Sequence, residues 1–295
     1  MQQSEVKQWL SGVSYELAFW NNVYRWKSAY DGMFCWSRYG STLQLEGMDI
    51  VAFLSQIDHP VVYDVGCGMS YAHGDHLPSA DGNIKLDVHY IDPLAHFYNK
   101  IKYQYRRDVP DVEFGMLEYL TATAGADSAH LIIVQNALDH SANPVQGITE
   151  ALCTLKVGGR LYLCHHPNEA EAEHYKGFHK YNITEEGGKF IIWNKNHRFV
   201  VDDLISACAS VNTFRLENGF IVSVIEKRSD CIQTNNQQSL QGLMDVVAEM
   251  MQLSRKPSFA MWQQMKYCWY NTIQFFVQAL PWEYRMKLRR LIYRK

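Results

Sequence analysis

The sequence lacks any run of about 20 residues apolar enough to span a bilayer. Residues 259–280 come nearest, and Gln263, Gln264, Lys266, Asn271, Gln274 and Gln278 interrupt them. No basic region followed by an apolar run stands at the N-terminus, so no signal peptide is expected. Also missing is any Cys-x-x-Cys pair. The seven cysteines, Cys35, Cys67, Cys153, Cys164, Cys208, Cys231 and Cys268, are scattered and odd in number, which argues against a disulfide framework and a structural zinc site. Several lie in apolar runs, where a free thiol acts as a small hydrophobe, and a reducing, cytoplasmic compartment fits best. Charge of neither sign dominates. Lys and Arg number 28 against 31 Asp and Glu, for a net charge of -3, so the chain as a whole carries no nucleic-acid signature and no nucleic-acid partner is expected. Internal repeats and long low-complexity tracts are absent as well.

What remains is the composition of an ordinary globular protein. Its 295 residues suit one α/β domain with additions, or two small domains. Three zones are visible: 1–58, 59–230 and 231–295. The first is rich in aromatics: Tyr15, Phe19, Trp20, Tyr24, Trp26, Tyr30, Phe34, Trp36 and Tyr39. Several recur at helical spacing. A helical cap packed on a core is the plain expectation, and a lid or acceptor wall is compatible with it.

The second zone alternates in character. Short apolar runs at 61–65, 88–91, 112–114, 131–134 and 160–164 predict strands, and 94–105 and 145–155 predict helices. Such alternation implies βαβ units and a parallel sheet, and near-continuous apolar strands fit a sheet covered on both faces. Beyond residue 165 the pattern changes. Residues 169–182 are polar and rich in histidine. Residues 190–193 and 198–201 read as a hairpin around Asn194-Lys195-Asn196, 202–210 as a helix, and 214–216 and 220–226 as strands joined by Asn218-Gly219, a strong turn signal. In the third zone a polar linker is expected over 233–241, followed by helices over 243–253 and 259–280. Pro281 interrupts, and a tail follows with Arg285, Lys287, Arg289, Arg290, Arg294 and Lys295 among apolar Tyr284, Met286, Leu288, Leu291, Ile292 and Tyr293.

The strongest local signal is Asp64-Val65-Gly66-Cys67-Gly68-Met69-Ser70, directly after the first candidate strand. Glycines at the carboxyl end of a first strand let a ligand approach the backbone, and a helix beginning there supplies free N–H groups. A Gly-x-Gly stretch also occurs as nothing more than a tight turn. The second signal is Asp92, at the end of the second candidate strand, where a carboxylate accepts bonds from two ribose hydroxyls side by side. The separation from Asp64 is longer than dinucleotide binders use, and a polar loop over 73–82 is expected to absorb the excess. Asp92-Pro93 also suits a simple helix start.

The order Val61-Val62-Tyr63-Asp64-Val65-Gly66-Cys67-Gly68, Ile91-Asp92-Pro93-Leu94, Asn136-Ala137-Leu138-Asp139-His140 and Leu155-Lys156-Val157-Gly158-Gly159-Arg160-Leu161 resembles the class I S-adenosylmethionine-dependent methyltransferases over residues 60–165, and more weakly to 226. The stretch His166-Pro167-Asn168-Glu169-Ala170, followed by residues 175–182, is similar to a bacterial methyltransferase-like subgroup. The resemblance implies an α/β, Rossmann-like, mostly parallel seven-stranded sheet with its last strand antiparallel, carrying helical N- and C-terminal extensions. It implies S-adenosyl-L-methionine as cofactor. Asp64, Gly66 and Gly68 would line its methionine part, Asp92 would hold the ribose, and Pro93 and Leu94 would flank the adenine. Glu118 matches an acidic position of the adenine loop, and Asn136 would touch the methionyl part. Met116 stands where the family has a preceding acid, and Ser70 where it has a third glycine.

Among the 12 histidines, His140, His165, His166, His174 and His179 fall at or after strand ends, where ligands sit in open α/β sheets. A hydroxyl acceptor needs a base near neutral pH, which histidine supplies. His140 or His165 is the candidate general base, with Asp139 or Glu169 orienting the acceptor; a purely structural bond is the alternative for each. No metal is expected, since His165, His166, Asp139 and Glu169 follow no recognised ligand spacing. In the third zone Trp262, Met265, Trp269, Ile273, Phe276 and Leu280 share one helix face, suited to an anionic membrane surface or to docking on the core or a second subunit of a homo-oligomer. The leading function is O-methylation of a small-molecule or glycan-like acceptor. A non-catalytic subunit or scaffold of the same fold and an NAD-dependent oxidoreductase are the rivals.

Overall fold

The computed structural model describes residues 3–34, 39–79, 82–175, 177–230, 236–281, 283–285 and 287. Cys35, Trp36, Cys231, Trp282, Met286 and the basic stretch 288–295 lie outside the described residues.

The aromatic N-terminal zone is helical, as α1 (Gln3–Arg25) and α2 (Lys27–Phe34). Val6, Trp9, Leu10, Trp20, Val23 and Tyr24 recur on one face of α1 and are buried. The short α3 (Ile50–Leu54) begins at Asp49, whose side chain accepts a bond from the Ala52 N–H, a typical N-cap.

β1 (Val61–Val65) runs into the glycine turn, and there the expected helix fails to appear. Turns lead instead to an antiparallel hairpin of β2 (His76–Ser79) and β3 (Gly82–Lys85), and then to β4 (Asp87–Asp92). The stretch 73–82 therefore ends in strand rather than being loop throughout. α1 fills part of the missing helix's place. Its aromatic face packs with Cys67, Met69 and Tyr71 of the turn and with Tyr90 of β4 in one apolar cluster.

Beyond β4 the alternation holds. α4 (Ala95–Gln104), β5 (Glu113–Phe114), α5 (Leu120–Ala124), β6 (Ala129–Gln135), α6 (Pro144–Thr154) and β7 (Leu155–His165) follow in turn. The helix α6 has the expected signals, with Asn143 capping the Gln146 N–H and Pro144 in its first turn. After a one-turn α7 (Glu169–Ala172), three strands form a small antiparallel sheet: β8 (Asn182–Glu186), β9 (Lys189–Trp193) and β10 (Arg198–Val200). The expected helix over 202–210 is shorter, as α8 (Val201–Ile205), because β11 (Ala209–Arg215) already begins at Ala209. β12 (Ile221–Lys227) closes the sheet, whose order is β11-β12-β7-β6-β1-β4-β5. β1, β4, β5, β6 and β7 are mutually parallel, while β12 runs antiparallel between β7 and β11. This is the Rossmann-like sheet with its last strand reversed.

The C-terminal zone is two helices, α9 (Asn236–Ser254) and α10 (Pro257–Ala279). Part of the expected linker, from Asn236, is thus helix. α10 lies along α1 with its amides turned inward. Gln263 accepts from the Ser14 hydroxyl at 2.6 Å, the Asn271 carbonyl oxygen accepts from Asn21 and Asn22 at 3.0 and 2.8 Å, and Gln274 and Gln278 are buried.

Candidate functional site

A cleft of about 730 Å³ opens at the carboxyl ends of the parallel strands, where open α/β sheets place their ligands. Its floor comes from Val65 to Gly68 after β1, Asp92 to Leu94 after β4, Val134 to Ala137 around the end of β6, and Cys164 and His166 at the end of β7. Trp9, Glu16, Phe19 and Trp20 of α1 form one wall. The N-terminal helix is thus both a packed cap and part of the site.

Glycine is required at both positions of the turn. Gly66 has φ +69 and Gly68 φ +56, and a Cβ on Gly66 would meet Ala137 Cβ at 2.5 Å. A Cβ on Gly68 would stand 3.1 Å from the Trp20 ring. The Gly68 N–H donates to Asp92 Oδ2 at 3.1 Å, and the Leu94 N–H to Oδ1 at 2.8 Å. Asp92 therefore welds the turn to the start of α4 while still lining the cleft. Burial pushes its carboxyl up to about 7, against those two N–H bonds and with Glu16 nearby. Asp64 is buried below the turn and does not line the cleft. Burial, with the Asp92 charge added, pushes it to about 7 as well.

Pro93, Leu94 and Asn136 line the cleft as expected. Asn136 adopts φ +48, a left-handed conformation that Asn tolerates better than most residues, and its Oδ1 accepts from the His166 N–H at 3.0 Å. Glu118 lines the cleft too, but one of its oxygens is already engaged. Oε1 accepts from the Ser141 hydroxyl and the Ala142 N–H, both at 2.7 Å, and from the Asn143 N–H at 3.3 Å. It braces the loop before α6.

The histidines separate sharply. His140 lines the cleft, and so does His166, whose ring lies against Phe220. His165 does not: it is 1% exposed and neither ring nitrogen has a bonding partner. Burial holds it down at about 4, so it is neutral, but it cannot reach an acceptor. His165 is thereby removed as a candidate base, because the alternation of β7 turns it inward. Asp139 is corrected as well. It orients histidines rather than an acceptor, receiving His179 Nδ1 at 2.7 Å and lying 3.5 Å from His140 Nε2. Burial would raise Asp139, yet His140 and His179 outweigh it and hold the carboxyl down at about 2. Glu169 opens α7 and does not line the cleft.

Glu16 and Glu46 were not legible as site residues, and Trp20 only as part of an aromatic wall. Glu16 and Trp20 come from a segment far from the motif, joined by a 2.7 Å bond from Trp20 Nε1 to the Glu16 carboxylate. Their one-turn separation on an aromatic helix was the only available signal. Among the described residues the cleft lining holds four carboxylates, Glu16, Glu46, Asp92 and Glu118, and no Lys or Arg. Such a wall favours a cationic ligand and disfavours phosphates.

No protein-family model matches the chain, and no curated protein matches it. Solved structures similar to it include an S-adenosylmethionine-dependent methyltransferase from Methanosarcina mazei, 17% identical, with 63% of this chain and 100% of that one covered and a TM-score of 0.34. A putative S-adenosyl-L-methionine-dependent methyltransferase from Methanococcus maripaludis is 15% identical, over 60% of this chain and 82% of that one, with a TM-score of 0.38. The T. thermophilus 16S rRNA N2 G1207 methyltransferase, in complex with AdoMet and guanosine, is 13% identical, over 66% of this chain and 43% of that one, with a TM-score of 0.35.

Proposed function

We propose that the chain is an S-adenosylmethionine-dependent methyltransferase that acts on a hydroxyl of a small-molecule or glycan-like acceptor. The observation that carries this reading is the cleft's charge: four carboxylates and no Lys or Arg around a glycine turn at the end of β1. The donor is a sulfonium with an ammonium group, and carboxylates in a poorly solvated wall suit both cations. In this reading Asp92 accepts from the ribose hydroxyls and Pro93, Leu94 and Leu117 flank the adenine ring, all four lining the cleft. The turn is followed by no helix. A dinucleotide rests its pyrophosphate on such a helix N-terminus, so the nicotinamide rival loses its main anchor, whereas a sulfonium nucleoside has no phosphate to place.

The cleft lining also includes Gln44, Glu46, His166 and Asn218 with Tyr162 and Phe220. Polar groups beside aromatic rings suit a hydroxylated, sugar-like acceptor, and the lack of cations opposes a nucleic acid. The acceptor oxygen attacks the methyl carbon as the carbon–sulfur bond breaks. Its proton leaves on the side of the cleft that His140 lines. Calorimetry with S-adenosylhomocysteine and NAD tests the reading. Micromolar binding of the first and none of the second is expected; the reverse would overturn it.

The same reading includes peripheral contact with an anionic membrane. No helix among the described residues is long and apolar enough to cross one. α10, however, is inverted: its amides face α1, while Met265, Trp269 and Phe276 are exposed by 66%, 67% and 66%. The sequence has no Asp or Glu between Glu249 and Glu283, but has Arg255 and Lys256 there and a basic end after Lys287. Aromatic and apolar side chains flanked by cations are what an anionic interface takes up. Arg285 is not among these cations, since it turns inward to Gln278 and to the Ser28 carbonyl.

A further inference from the structure

Three potential metal donors meet beside the cleft. His179 Nδ1 is 2.7 Å from Asp139 Oδ2, His140 Nε2 is 3.2 Å from His179 Nδ1, and His140 Nε2 is 3.5 Å from Asp139 Oδ2. The three form a compact group among the described residues. Nitrogen and oxygen ligands stand about 2.0–2.2 Å from a first-row divalent ion. Donors at that distance, separated by right or tetrahedral angles, lie roughly 3.0–3.4 Å apart. One side of the cluster, at 3.2 Å, falls in that range; the 3.5 Å side is just beyond it, and His179 Nδ1 and Asp139 Oδ2, now a 2.7 Å hydrogen bond, need to part by only a few tenths of an ångström for an ion to replace the proton between them.

Hydrogen bonding alone leaves the arrangement incomplete. Two imidazole nitrogens face each other and share one carboxylate oxygen, and three such close atoms offer room for few protons. The Asp139 side chain is only 4% exposed, and its Oδ1 has no partner among the described residues. A buried carboxylate with so few partners is costly, and a cation held on Oδ2 offsets its charge. The donors are also held firmly. Asp139 and His140 share the turn Leu138–His140, and the Lys180 N–H donates to the Asp139 carbonyl at 3.0 Å, tying the loop of His179 to that turn. Phe178 lies between His140 and Trp9 of α1. His140 and His179 keep partly open sides, and His140 lines the cleft.

We propose that His140, His179 and Asp139 bind one divalent transition-metal ion, whose open positions take the acceptor's hydroxyl. Two imidazoles and one carboxylate suit Zn²⁺, Mn²⁺, Fe²⁺ or Co²⁺ better than Mg²⁺, which prefers oxygen. The ion acts as a Lewis acid without redox change. The hydroxyl loses its proton to solvent water, the metal-held oxygen forms the new bond to the methyl carbon, and the carbon–sulfur pair stays on sulfur. The assignment of this catalytic role rests on the methyl-transfer reading; the binding site itself does not.

The test uses the full chain after treatment with chelator, titrated with Co²⁺ by calorimetry and followed by its visible absorption. One ion per chain is expected, with the intensified bands of nitrogen ligation. His140→Gln and His179→Gln, made separately, should each weaken binding roughly tenfold or more. Far-ultraviolet circular dichroism checks folding, and S-adenosylhomocysteine affinity is measured on the same samples. Failure of wild type to take up Co²⁺, or uptake by both variants as tight as that of wild type, would overturn the metal site. Loss of S-adenosylhomocysteine binding in wild type, with Co²⁺ uptake intact, would overturn only the methyltransferase reading.

Discussion

At the residue scale the site depends on carboxylates held where ionisation is unfavourable. Asp64 and Asp92 both sit near 7 in the folded protein, against an ordinary 3.8. A carboxyl raised on folding stabilises the fold while protonated. That contribution is complete below about pH 4 and is lost as pH rises through about 7. The free protein should therefore melt at progressively lower temperature from pH 5 to pH 8. A cationic donor reverses the sign, since it binds the ionised form, so its affinity should rise over the same interval. Asp64→Asn separates the two effects. It should raise the melting temperature at pH 8 by a few degrees, about 1.4 kcal/mol corresponding to a tenfold change in ionisation, while weakening S-adenosylmethionine less than Asp92→Asn does, because only Asp92 lines the cleft. Differential scanning fluorimetry across this range checks both, and a variant melting lower than wild type at pH 8 contradicts the account.

The turn gives a second prediction at this scale. Gly66→Ala puts a methyl group into Ala137 at a positive φ. Strain in that region costs about 1–2 kcal/mol before the clash is counted. Lower stability and at least tenfold weaker S-adenosylhomocysteine binding are expected in calorimetry, and neither effect should appear in Gly158→Ala to the same degree, because its Cβ meets nothing within 4 Å.

At the element scale, legibility followed the local signals. Strands bounded by glycine, proline or turn residues, such as β1, β4 and the β11–β12 hairpin, stood out because period and punctuation agree. β8 did not, since Asn182-Ile183-Thr184-Glu185-Glu186 has mixed polarity and gains its strand character from pairing with β9. The helix expected after the glycine turn was wrong for a tertiary reason: α1, from the other end of the motif, covers that surface. Among site residues, those at strand ends were readable, and Glu16 and Glu46 were not, because only folding brings them to the cleft. The apolar face of α10 was readable as one face, with an outward and an inward placement both left open. Replacing Trp269 and Phe276 together by Glu should abolish flotation with anionic vesicles and leave the melting temperature within about 2 °C, since both side chains are exposed. Vesicle binding that survives the change, or wild type floating equally with neutral lipid, would count against membrane contact; a mass that doubles with concentration would point instead to a second copy.

At the scale of the whole molecule, the two ends of the chain are clasped. α10 contributes no residue to the cleft, whereas α1 contributes Trp9, Glu16, Phe19 and Trp20. Yet α1 depends on α10 for the partners of Ser14, Asn21 and Asn22, and the Gln263 side chain and Lys266 donate to the Leu10 and Ser11 carbonyls. Each such bond contributes about 1 kcal/mol, and each partner left unmet in a buried place costs more. Ending the chain at Arg255 should therefore loosen the cleft wall from a distance. The seven strands, which have their own apolar layers, should keep their far-ultraviolet circular dichroism, while S-adenosylhomocysteine affinity falls roughly tenfold or more. Unchanged affinity in the shortened chain would mean that α1 holds its place on Met69, Tyr90 and Tyr98 alone. A fall reproduced by Asn271→Ala, which touches only the polar seam, would locate the coupling in the amides that α10 turns inward.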